Sequence, residues 1–168
     1  MTDTMTSLPI VVITVSDTRT VDNDKSGDLL VQRLTDAGHQ LYAREIVVDD
    51  QTLLQARLLH YAGTDADVVL LTGGTGITRR DVTPEAVLAV ADKVIDGFGE
   101  LFRYLSFQTI GASTIQSRAI GAVVDGTLVF ALPGSTGACA DGWDQILASQ
   151  LGSRTRPCNF AGLMDRVR

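Results

Sequence analysis

The chain has 168 residues, enough for one domain with a substantial core, and 45% of them are hydrophobic while 20% are charged. A net charge of −6 argues against nucleic acid as a partner, because binding to a phosphate backbone relies on clustered Lys and Arg. No apolar run approaches the roughly 20 residues that a membrane span needs, and residues 1–8 lack the pattern of a secretory signal. We therefore expect a cytoplasmic protein that does not associate with membranes.

The first half of the sequence alternates strand-like and helix-like segments. Short apolar runs predict strands, and apolar residues at helical spacing predict helices. The predicted strands are 8–15, 40–48 and 68–71, and the predicted helices are 26–37, 51–62, 84–91 and 97–107. Ser26 is the expected cap of the first helix, and Thr83 is the expected cap of the helix that starts at Pro84. This alternation indicates an α/β fold in which helices cover both faces of a parallel sheet.

The pattern changes near residue 120. Two apolar runs, 121–124 and 127–132, flank Asp125-Gly126, a pair that suits a type I′ hairpin turn. We therefore expect a mixed sheet with an antiparallel element at this end. We treat 1–168 as a single domain, in which residues 1–8 and 161–168 are either flexible or at subunit contacts.

Two glycine-rich loops follow predicted strands. Gly73, Gly74 and Gly76 come directly after the buried strand, and Gly134 follows the last strand. Glycine lets the backbone approach a ligand closely, and open α/β sheets bind ligands at the carboxyl ends of their strands. The glycine pattern has neither the spacing of a dinucleotide-binding fingerprint nor the lysine of a Walker-type site. The sequence therefore predicts a ligand site that belongs to neither of these classes.

Acidic residues also stand near the ends of predicted strands. Asp17 follows the first strand, Asp49 and Asp50 end the second, and Asp81 lies between the glycine turn and the next helix. Carboxylates that meet at one sheet edge suit Mg²⁺, which completes its coordination with ligand phosphates. Alternatively, these acids cap helices and fill turns, an interpretation at least as good for Asp50. For Asp81 we favour a functional role, because Thr83 already provides a cap.

Histidine and cysteine give little support for nucleophilic catalysis or a metal centre. His39 and His60 lie in predicted segments away from the glycine loops, and we interpret them as surface or interfacial residues. Cys139 and Cys158 have no partner at metal spacing and are interpreted as small buried hydrophobic residues. Glycine loops and carboxylates remain. They suit phosphoryl or nucleotidyl transfer on a phosphate-bearing small molecule, because such reactions depend mainly on positioning and charge neutralisation.

Three segments carry a family resemblance. Thr72–Ala86 contains T-G-G-T-G followed by R-D-x-T-P-E-A, Ser113–Ala122 contains a serine-arginine block, and Pro133–Ser135 is a P-G-S loop. In these motifs the chain resembles the MoaB/MogA family of molybdenum cofactor biosynthesis, and the sequence between them is nearer to the MoaB branch. The resemblance extends from about Pro9 to Phe160.

The resemblance implies a three-layer α/β/α fold with a mostly parallel mixed sheet, assembled as a homotrimer or a hexamer. It implies binding of molybdopterin and transfer of AMP from Mg²⁺-bound ATP to the terminal phosphate of molybdopterin, with release of pyrophosphate. The product would then pass to the molybdenum-insertion protein of the pathway. Carried over by position, Asp49 and Asp81 are the catalytic acids and the Mg²⁺ ligands. The implied substrate- and nucleotide-binding positions are Ser16, Asp17, Thr72, Gly73, Gly74, Thr75, Gly76, Ser117, Gly134 and Ser135.

Two other hypotheses remain open at this point. The chain could be a non-catalytic molybdopterin-binding carrier of the same fold, or an oligomeric interaction module whose glycine loops serve turn geometry only. In addition, Phe98, Phe102, Leu105, Phe107 and the tail around 157–160 offer more apolar surface than a small domain needs. We expect part of that surface at subunit contacts.

Overall fold

The structure, a computed structural model, describes residues 5–168, and within them the chain forms one six-stranded sheet flanked by helices. The strands are β1 (Pro9–Val15), β2 (Gln40–Val47), β3 (Val68–Thr72), β4 (Lys93–Val94), β5 (Ile120–Val124) and β6 (Thr127–Leu132). The α-helices are α1 (Lys25–Asp36), α2 (Gln51–Ala62), α3 (Thr83–Val90), α4 (Asp96–Ile110), α5 (Thr136–Gly142), α6 (Ala148–Leu151) and α7 (Met164–Val167). Two 3₁₀ turns span Gly111–Gln116 and Ala161–Leu163, and a π-helical turn at Trp143–Leu147 joins α5 to α6.

The sheet is mixed, as predicted, with the strand order β2-β1-β3-β6-β5-β4. Strands β2, β1, β3 and β6 are parallel, whereas β5 runs antiparallel to β6 and β4 antiparallel to β5. Thr14 pairs with Thr72, and Thr72 pairs with Leu132. The carboxyl ends of β1, β3 and β6 therefore reach one edge of the sheet, and the loops that leave those ends lie side by side.

Both faces of the sheet are covered, which gives three layers. Alternate residues of β1 point to opposite faces, so Ile10 and Val12 join one buried cluster while Val11 and Ile13 join the other. Helices α1, α4 and α5 pack on the first face, and α2 and α3 pack on the second. Strand β3 is buried along its whole length, as expected for a central parallel strand. The predicted α/β/α architecture is confirmed.

The hairpin between β5 and β6 has the predicted turn. Asp125 has a φ of 44° and Gly126 a φ of 80°, the positive values that a type I′ turn requires at both central residues. The short strand β4 lies beyond β5 and was not predicted. It has only two residues, both exposed, so no apolar pattern marks it.

Helix α1 uses a different cap from the one expected. Asp24 Oδ1 accepts a hydrogen bond from the amide of Gly27 at 3.0 Å, whereas the Ser26 hydroxyl donates to the carbonyl of Gly134 at 2.8 Å. The prediction of Ser26 as the cap is wrong. Arg44, which approaches from the neighbouring strand, pairs with the Asp24 carboxylate and helps to hold it at the helix start.

Thr83 is the first residue of α3 rather than its cap. Its hydroxyl donates to the carbonyl of Gly73 at 2.8 Å, and its amide donates to the carbonyl of Gly74 at 3.0 Å. Val82 occupies the cap position without a side-chain hydrogen bond. Thr83 therefore fastens the glycine turn to α3, and the reasoning that it frees Asp81 from a structural role does not hold.

Two predictions about histidine and cysteine are also wrong. His39 is only 6% exposed; its ring meets Trp143 edge to face, and its Nδ1 accepts a hydrogen bond from the amide of Leu8 at 3.2 Å. His60 is exposed, as predicted. Cys139 is buried, as predicted, whereas Cys158 lies exposed in the irregular segment after α6.

The end of the chain packs against the domain. Within segment 161–168, the Met164 side chain is buried in the same cluster as α1 and α4, and Arg168 forms an ion pair with Asp67. This segment makes contacts within the domain, and its flexibility stays a prediction. Its participation in a subunit contact stays a prediction.

The amino-terminal segment is only partly described. Residues 1–4 of the predicted segment 1–8 lie outside the described residues, whereas Leu8 is buried in the core. Among residues 5–168, no helix is long and apolar enough to cross a membrane.

Candidate functional site

The two glycine loops and α4 enclose a cleft of about 430 Å³ at the carboxyl edge of the sheet, called here the glycine cleft. Eight of the predicted site residues line it, namely Gly73, Gly74, Thr75, Gly76, Asp81, Ser117, Gly134 and Ser135. The opposite wall comes from α4 and the 3₁₀ turn after it, with Phe102, Ser106, Ile110, Ser113 and Gln116. The structure thus brings most of the predicted residues together around one cavity.

The wall from α4 was missed because its residues had a simpler interpretation. Phe102 and its neighbours formed an apolar stripe at helical spacing, which is typical of a core helix. Phe102 is indeed 1% exposed, yet it also lines the cleft. Ser106, a polar residue within that stripe, is the signal that could have indicated a cavity.

The two glycine loops touch backbone to backbone, and Gly73 in particular has no room for a side chain. Gly73 has a φ of 102°, and a Cβ built there would lie 2.2 Å from the carbonyl oxygen of Val15. A Cβ on Gly134 would lie 3.3 Å from the Cα of Gly73. A side chain on Gly73 would therefore push the strand ends apart. At this contact the glycines serve close packing as well as access for a ligand.

A set of buried hydroxyls holds the Pro133–Ser135 loop in place. Thr72 donates to the carbonyl of Pro133 at 3.0 Å, and Ser26 donates to the carbonyl of Gly134. Ser135 caps α5 by accepting from the amide of Ala138 at 3.2 Å. Thr72 is fully buried; it supports the loop and faces the neighbouring smaller cavity rather than the glycine cleft.

A second, smaller cavity of about 280 Å³ lies on the other side of the wall that Gly73 and Gly134 form. Ser16 lines this cavity rather than the glycine cleft. Its hydroxyl accepts from the amides of Thr18 and Arg19 at 3.2 and 3.1 Å, which shapes the loop after β1. Of the predicted residues, Ser16 and Thr72 thus line this cavity without reaching the glycine cleft, and Asp17 and Asp49 line neither cavity.

Asp17 is occupied by contacts within the protein. Arg80 forms a two-pronged pair with its carboxylate, at 2.9 Å from Nε and 2.8 Å from Nη2, and the amide of Asp49 donates to it at 3.1 Å. The hydrogen bond from Arg80, and then the one from Asp49, hold the pKa of Asp17 below its ordinary value. Asp17 therefore joins the ends of β1 and β2 to the loop before α3.

Asp81 lies at the mouth of the glycine cleft and closes a tight turn. Its Oδ2 accepts from the amide of Thr78 at 2.9 Å and from the Thr78 hydroxyl at 2.6 Å. Partial burial raises the pKa of Asp81, but these hydrogen bonds from Thr78 outweigh it and bring the pKa below its ordinary value. The carboxylate is therefore ionised at neutral pH.

Asp49 stands beside Gly74 in a different electrostatic setting. A Cβ built on Gly74 would lie 3.0 Å from Asp49 Oδ1, so the carboxylate faces the glycine turn. Burial raises the pKa of Asp49, and the negative charges of Asp17 and Asp81 raise it further, although Arg80 partly opposes them. Within residues 5–168, Asp49 forms no ion pair. A bound cation would relieve this crowding of negative charge.

The acids fit a metal ion that arrives with a phosphate ligand better than a resident one. In the described part of the chain, no three His, Cys, Asp or Glu side chains are grouped closely enough to hold a metal ion by themselves. Mg²⁺ commonly binds through one or two carboxylates, with waters and substrate phosphates completing its shell. Asp49 lies next to Gly74 and Asp81 next to Gly76, so both carboxylates flank the glycine turn.

Asp50 has the structural role that its position suggested. Its side chain accepts from the amide of Leu53 at 2.8 Å and thereby caps α2. The capping interpretation is confirmed for this residue. Asp50 is a neighbour of Asp49 in sequence but does not line the glycine cleft.

Arg118 is a residue whose role sequence reasoning missed. It was noticed as part of the serine-arginine block, but only Ser117 was assigned to the site. The Arg118 guanidinium contacts the loop before α3 at the carbonyls of Gly76 and Asp81. Because these partners are about 40 residues away in sequence, no local pattern could reveal them.

Comparison with known proteins places the chain among known sequences and structures. The family described as "Probable molybdopterin binding domain" matches residues 11–153. The chain is similar to molybdenum cofactor biosynthesis protein B of Escherichia coli strain K12, with 47% identity over 152 residues that cover 90% of this chain and 89% of the relative. The protein of the same name from Bacillus cereus is 50% identical over 146 residues, which cover 86% of each chain.

The fold is also similar to a solved structure. A crystal structure of molybdenum cofactor biosynthesis protein B aligns with a TM-score of 0.86 and 42% identity, over 96% of each chain. The similarity thus extends over both glycine loops and the cleft between them.

Proposed function

This chain belongs to the molybdopterin-binding family and acts in molybdenum cofactor biosynthesis, and we propose that it binds molybdopterin in the glycine cleft. The single observation that carries this proposal is the make-up of the cleft. One wall carries Phe102 and Ile110 among the polar side chains of Ser106, Ser113 and Gln116, and the other is a glycine turn with little side-chain cover. A flat pterin suits the first wall, and its terminal phosphate suits backbone amides in the second.

We further propose that the chain transfers AMP to the bound molybdopterin. An oxygen of the terminal phosphate attacks the α-phosphorus of ATP, the bond from that phosphorus to the bridging oxygen breaks, and pyrophosphate leaves with the electron pair. Asp49 and Asp81 would hold Mg²⁺, which neutralises charge on the nucleotide phosphates when it is bound. The cavity at Ser16 adjoins the glycine cleft and offers space for part of the nucleotide.

The residues of the chain contribute mainly by positioning in this proposal. Thr83 and the Gly73–Gly134 contact fix the glycine turn, and Asp17 with Arg80 ties that turn to the end of β2, where Asp49 lies. Phosphoryl-type transfer gains most from such fixed geometry and needs no protein nucleophile. This agrees with the location of His39 and Cys139, neither of which lines the glycine cleft.

A product assay tests the proposed reaction. The purified chain is incubated with molybdopterin, ATP labelled at the α-phosphate and Mg²⁺, and labelled pterin and pyrophosphate are measured. We expect both products in equal amounts, and their formation should stop when EDTA removes Mg²⁺. Saturable pterin binding without either product would reject the transfer reaction while retaining the binding site.

One observation favours a second candidate, a non-catalytic molybdopterin carrier. Asp81 already accepts two hydrogen bonds from Thr78, so its presence is accounted for by turn structure alone. A carrier would bind the pterin equally well with and without Mg²⁺ and ATP. The enzyme should instead bind ATP, and isothermal titration of the pterin complex with Mg²⁺-ATP distinguishes the two.

We also propose that the chain assembles with itself, as a homotrimer or a hexamer, in the cytoplasm. Among the aromatic side chains on α4, Phe98 and Phe102 are buried within the domain, whereas Tyr104 and Phe107 are 66% and 58% exposed. Exposed aromatic side chains on one helix favour a protein contact. Light scattering at micromolar concentration should give a mass of at least three chains, and a monomer would contradict this proposal. Transfer of the product to a molybdenum-insertion protein is proposed on the same family basis.

A further inference from the structure

Arg118 sits behind the loop that carries Asp81, and it does not line the glycine cleft. Its Nε donates to the carbonyl of Gly76 at 2.7 Å, and its Nη2 donates to the carbonyl of Asp81 at 2.9 Å. Its Nη1 forms an ion pair with Glu85 in the first turn of α3. The backbone amide of Arg118 also donates to the carbonyl of Thr75 at 3.0 Å. Arg118 therefore donates hydrogen bonds to three carbonyls of the loop, and its ion pair with Glu85 links the loop to α3.

These contacts bracket the turn that presents the Asp81 carboxylate. Gly76 and Asp81 are the two ends of this turn, and within it the amide of Asp81 donates to the carbonyl of Thr78 at 3.1 Å. The carboxylate lies close to Gly76, since a Cβ built there would be 2.8 Å from Asp81 Oδ2. A shift of either end of the turn would therefore move the carboxylate relative to the cleft.

We propose that Arg118 is a positioning residue for Asp81: its guanidinium fixes the Gly76–Asp81 turn from behind and so sets where the carboxylate meets the ligand. The inference rests on the proposed adenylyl transfer for its catalytic consequence. Arg118 acts through two backbone carbonyls and does not itself contact the ligand. Its effect is therefore on the rate of the chemical step rather than on the affinity for molybdopterin.

The geometry calls for arginine specifically. A guanidinium presents its donors in a rigid planar fork, so Nε and Nη2 reach two carbonyls while Nη1 reaches Glu85. A lysine keeps the positive charge but is a single point donor on a flexible stem. It can serve one of these partners at a time. Arg118→Lys therefore removes the forked set of hydrogen bonds while it keeps the positive charge.

The test compares Arg118→Lys with wild type and with Arg103→Lys as a matched control. Arg103 also donates from its guanidinium to a backbone carbonyl, that of Ala119 at 3.2 Å, but it contacts no part of the loop with Asp81. For each protein, kcat and KM are measured for molybdopterin and Mg²⁺-ATP. Amide hydrogen exchange is measured at Thr78 and Asp81, and circular dichroism checks that the variants are folded.

For Arg118→Lys we expect kcat to fall about 100-fold, because a displacement near 1 Å at a reacting site costs about that much. The KM for molybdopterin should stay within about threefold of wild type, because Arg118 does not touch this ligand. Exchange at Thr78 and Asp81 should be faster than in wild type. Arg103→Lys should match wild type in all of these measurements.

Several outcomes would overturn the inference. Wild-type kcat in Arg118→Lys, or a raised KM for molybdopterin with kcat unchanged, would show that the guanidinium fork does not position Asp81. Unchanged amide exchange at Thr78 and Asp81 would also overturn the inference, and that measurement does not depend on enzymatic activity. If wild type itself makes no product, the proposed function fails, and the exchange data still decide whether Arg118 orders the turn.

Discussion

Asp24 and Asp49 are two acids near the same sheet edge, and their surroundings are opposite. Asp24 is 1% exposed and accepts hydrogen bonds from Thr14, Gly27 and Arg44 at 2.7, 3.0 and 2.9 Å. Asp49 is partly exposed and, within residues 5–168, has no ion-pair partner. Each acid follows a predicted strand, so their positions in the sequence alone do not separate them.

The pKa directions express this difference. Burial raises the pKa of Asp24, but hydrogen bonds from Arg44 and Thr14 outweigh it and lower the pKa below its ordinary value. Burial raises the pKa of Asp49 as well, and there the charge of Asp17 adds to the effect. An acid that accepts several hydrogen bonds stabilises the fold, whereas an acid close to other negative charges can bind a cation. Substitutions at the two acids test this difference between Asp24 and Asp49.

The largest expected effect is on stability, from Asp24→Ala. This substitution leaves the guanidinium of Arg44 partly buried without its main partner and removes the cap of α1. Breaking a buried pair costs about 3–5 kcal/mol, so the urea midpoint should fall sharply. Asp28→Ala is the control, because Asp28 pairs with the same arginine but is exposed. An equal loss in both variants would contradict the distinction between buried and exposed partners.

Asp49→Asn should leave stability intact and reduce activity. Removing this charge relieves the repulsion with Asp17 and Asp81, so the free energy of unfolding should stay the same or rise. Turnover should fall about 100-fold, as expected when one electrostatic contact to the reacting phosphates is lost. Asp50→Asn serves as the neighbouring control and should retain wild-type turnover, because Asp50 caps α2. A destabilised Asp49→Asn with normal turnover would reverse the assignment.

His39 extends the comparison to a buried base. Burial lowers the pKa of His39, so the unfolded chain takes up a proton more readily than the folded one. The stabilising contribution of the neutral ring is complete above the unfolded pKa of about 6.5 and is lost as the pH falls through the folded pKa. The free energy of unfolding should therefore decrease between about pH 7 and 5, measured by urea titration.

Two variants check the source of that pH dependence. His39→Gln should flatten the curve, because glutamine can accept the hydrogen bond from Leu8 without titrating. His60→Gln should leave the curve unchanged, since His60 is exposed. A curve that stays steep in His39→Gln would assign the pH dependence to other groups.

Local patterns predicted the features of the fold that depend on neighbouring residues. The apolar run at 8–15 predicted β1, and Asp125-Gly126 predicted the hairpin turn, because both signals lie within a few residues. Strand β4 was missed, since two exposed residues form a strand only by pairing with β5. The caps at Ser26 and Thr83 were misassigned because distant carbonyls compete for their hydroxyls.

The residues of the candidate site also fall into those with a local sequence signal and those that depend on distant contacts. The glycine turn and Asp81 carry their signal in one stretch of sequence, and the structure brings them together with Ser117 and Gly134 around one cleft. The wall at Phe102 and the contacts of Arg118 depend on packing between distant segments. Sequence periodicity cannot distinguish a core phenylalanine from one that also lines a cavity.

We propose that the charge of Asp81 serves chemistry as well as the turn, and Asp81→Asn removes that charge. Asparagine keeps an acceptor for Thr78, so the turn should persist while the charge is lost. Single-turnover adenylyl transfer with saturating Mg²⁺-ATP is measured beside molybdopterin affinity from pterin fluorescence. We expect a molybdopterin affinity within about threefold of wild type and a transfer rate lower by about 100-fold. A transfer rate equal to that of wild type would contradict it.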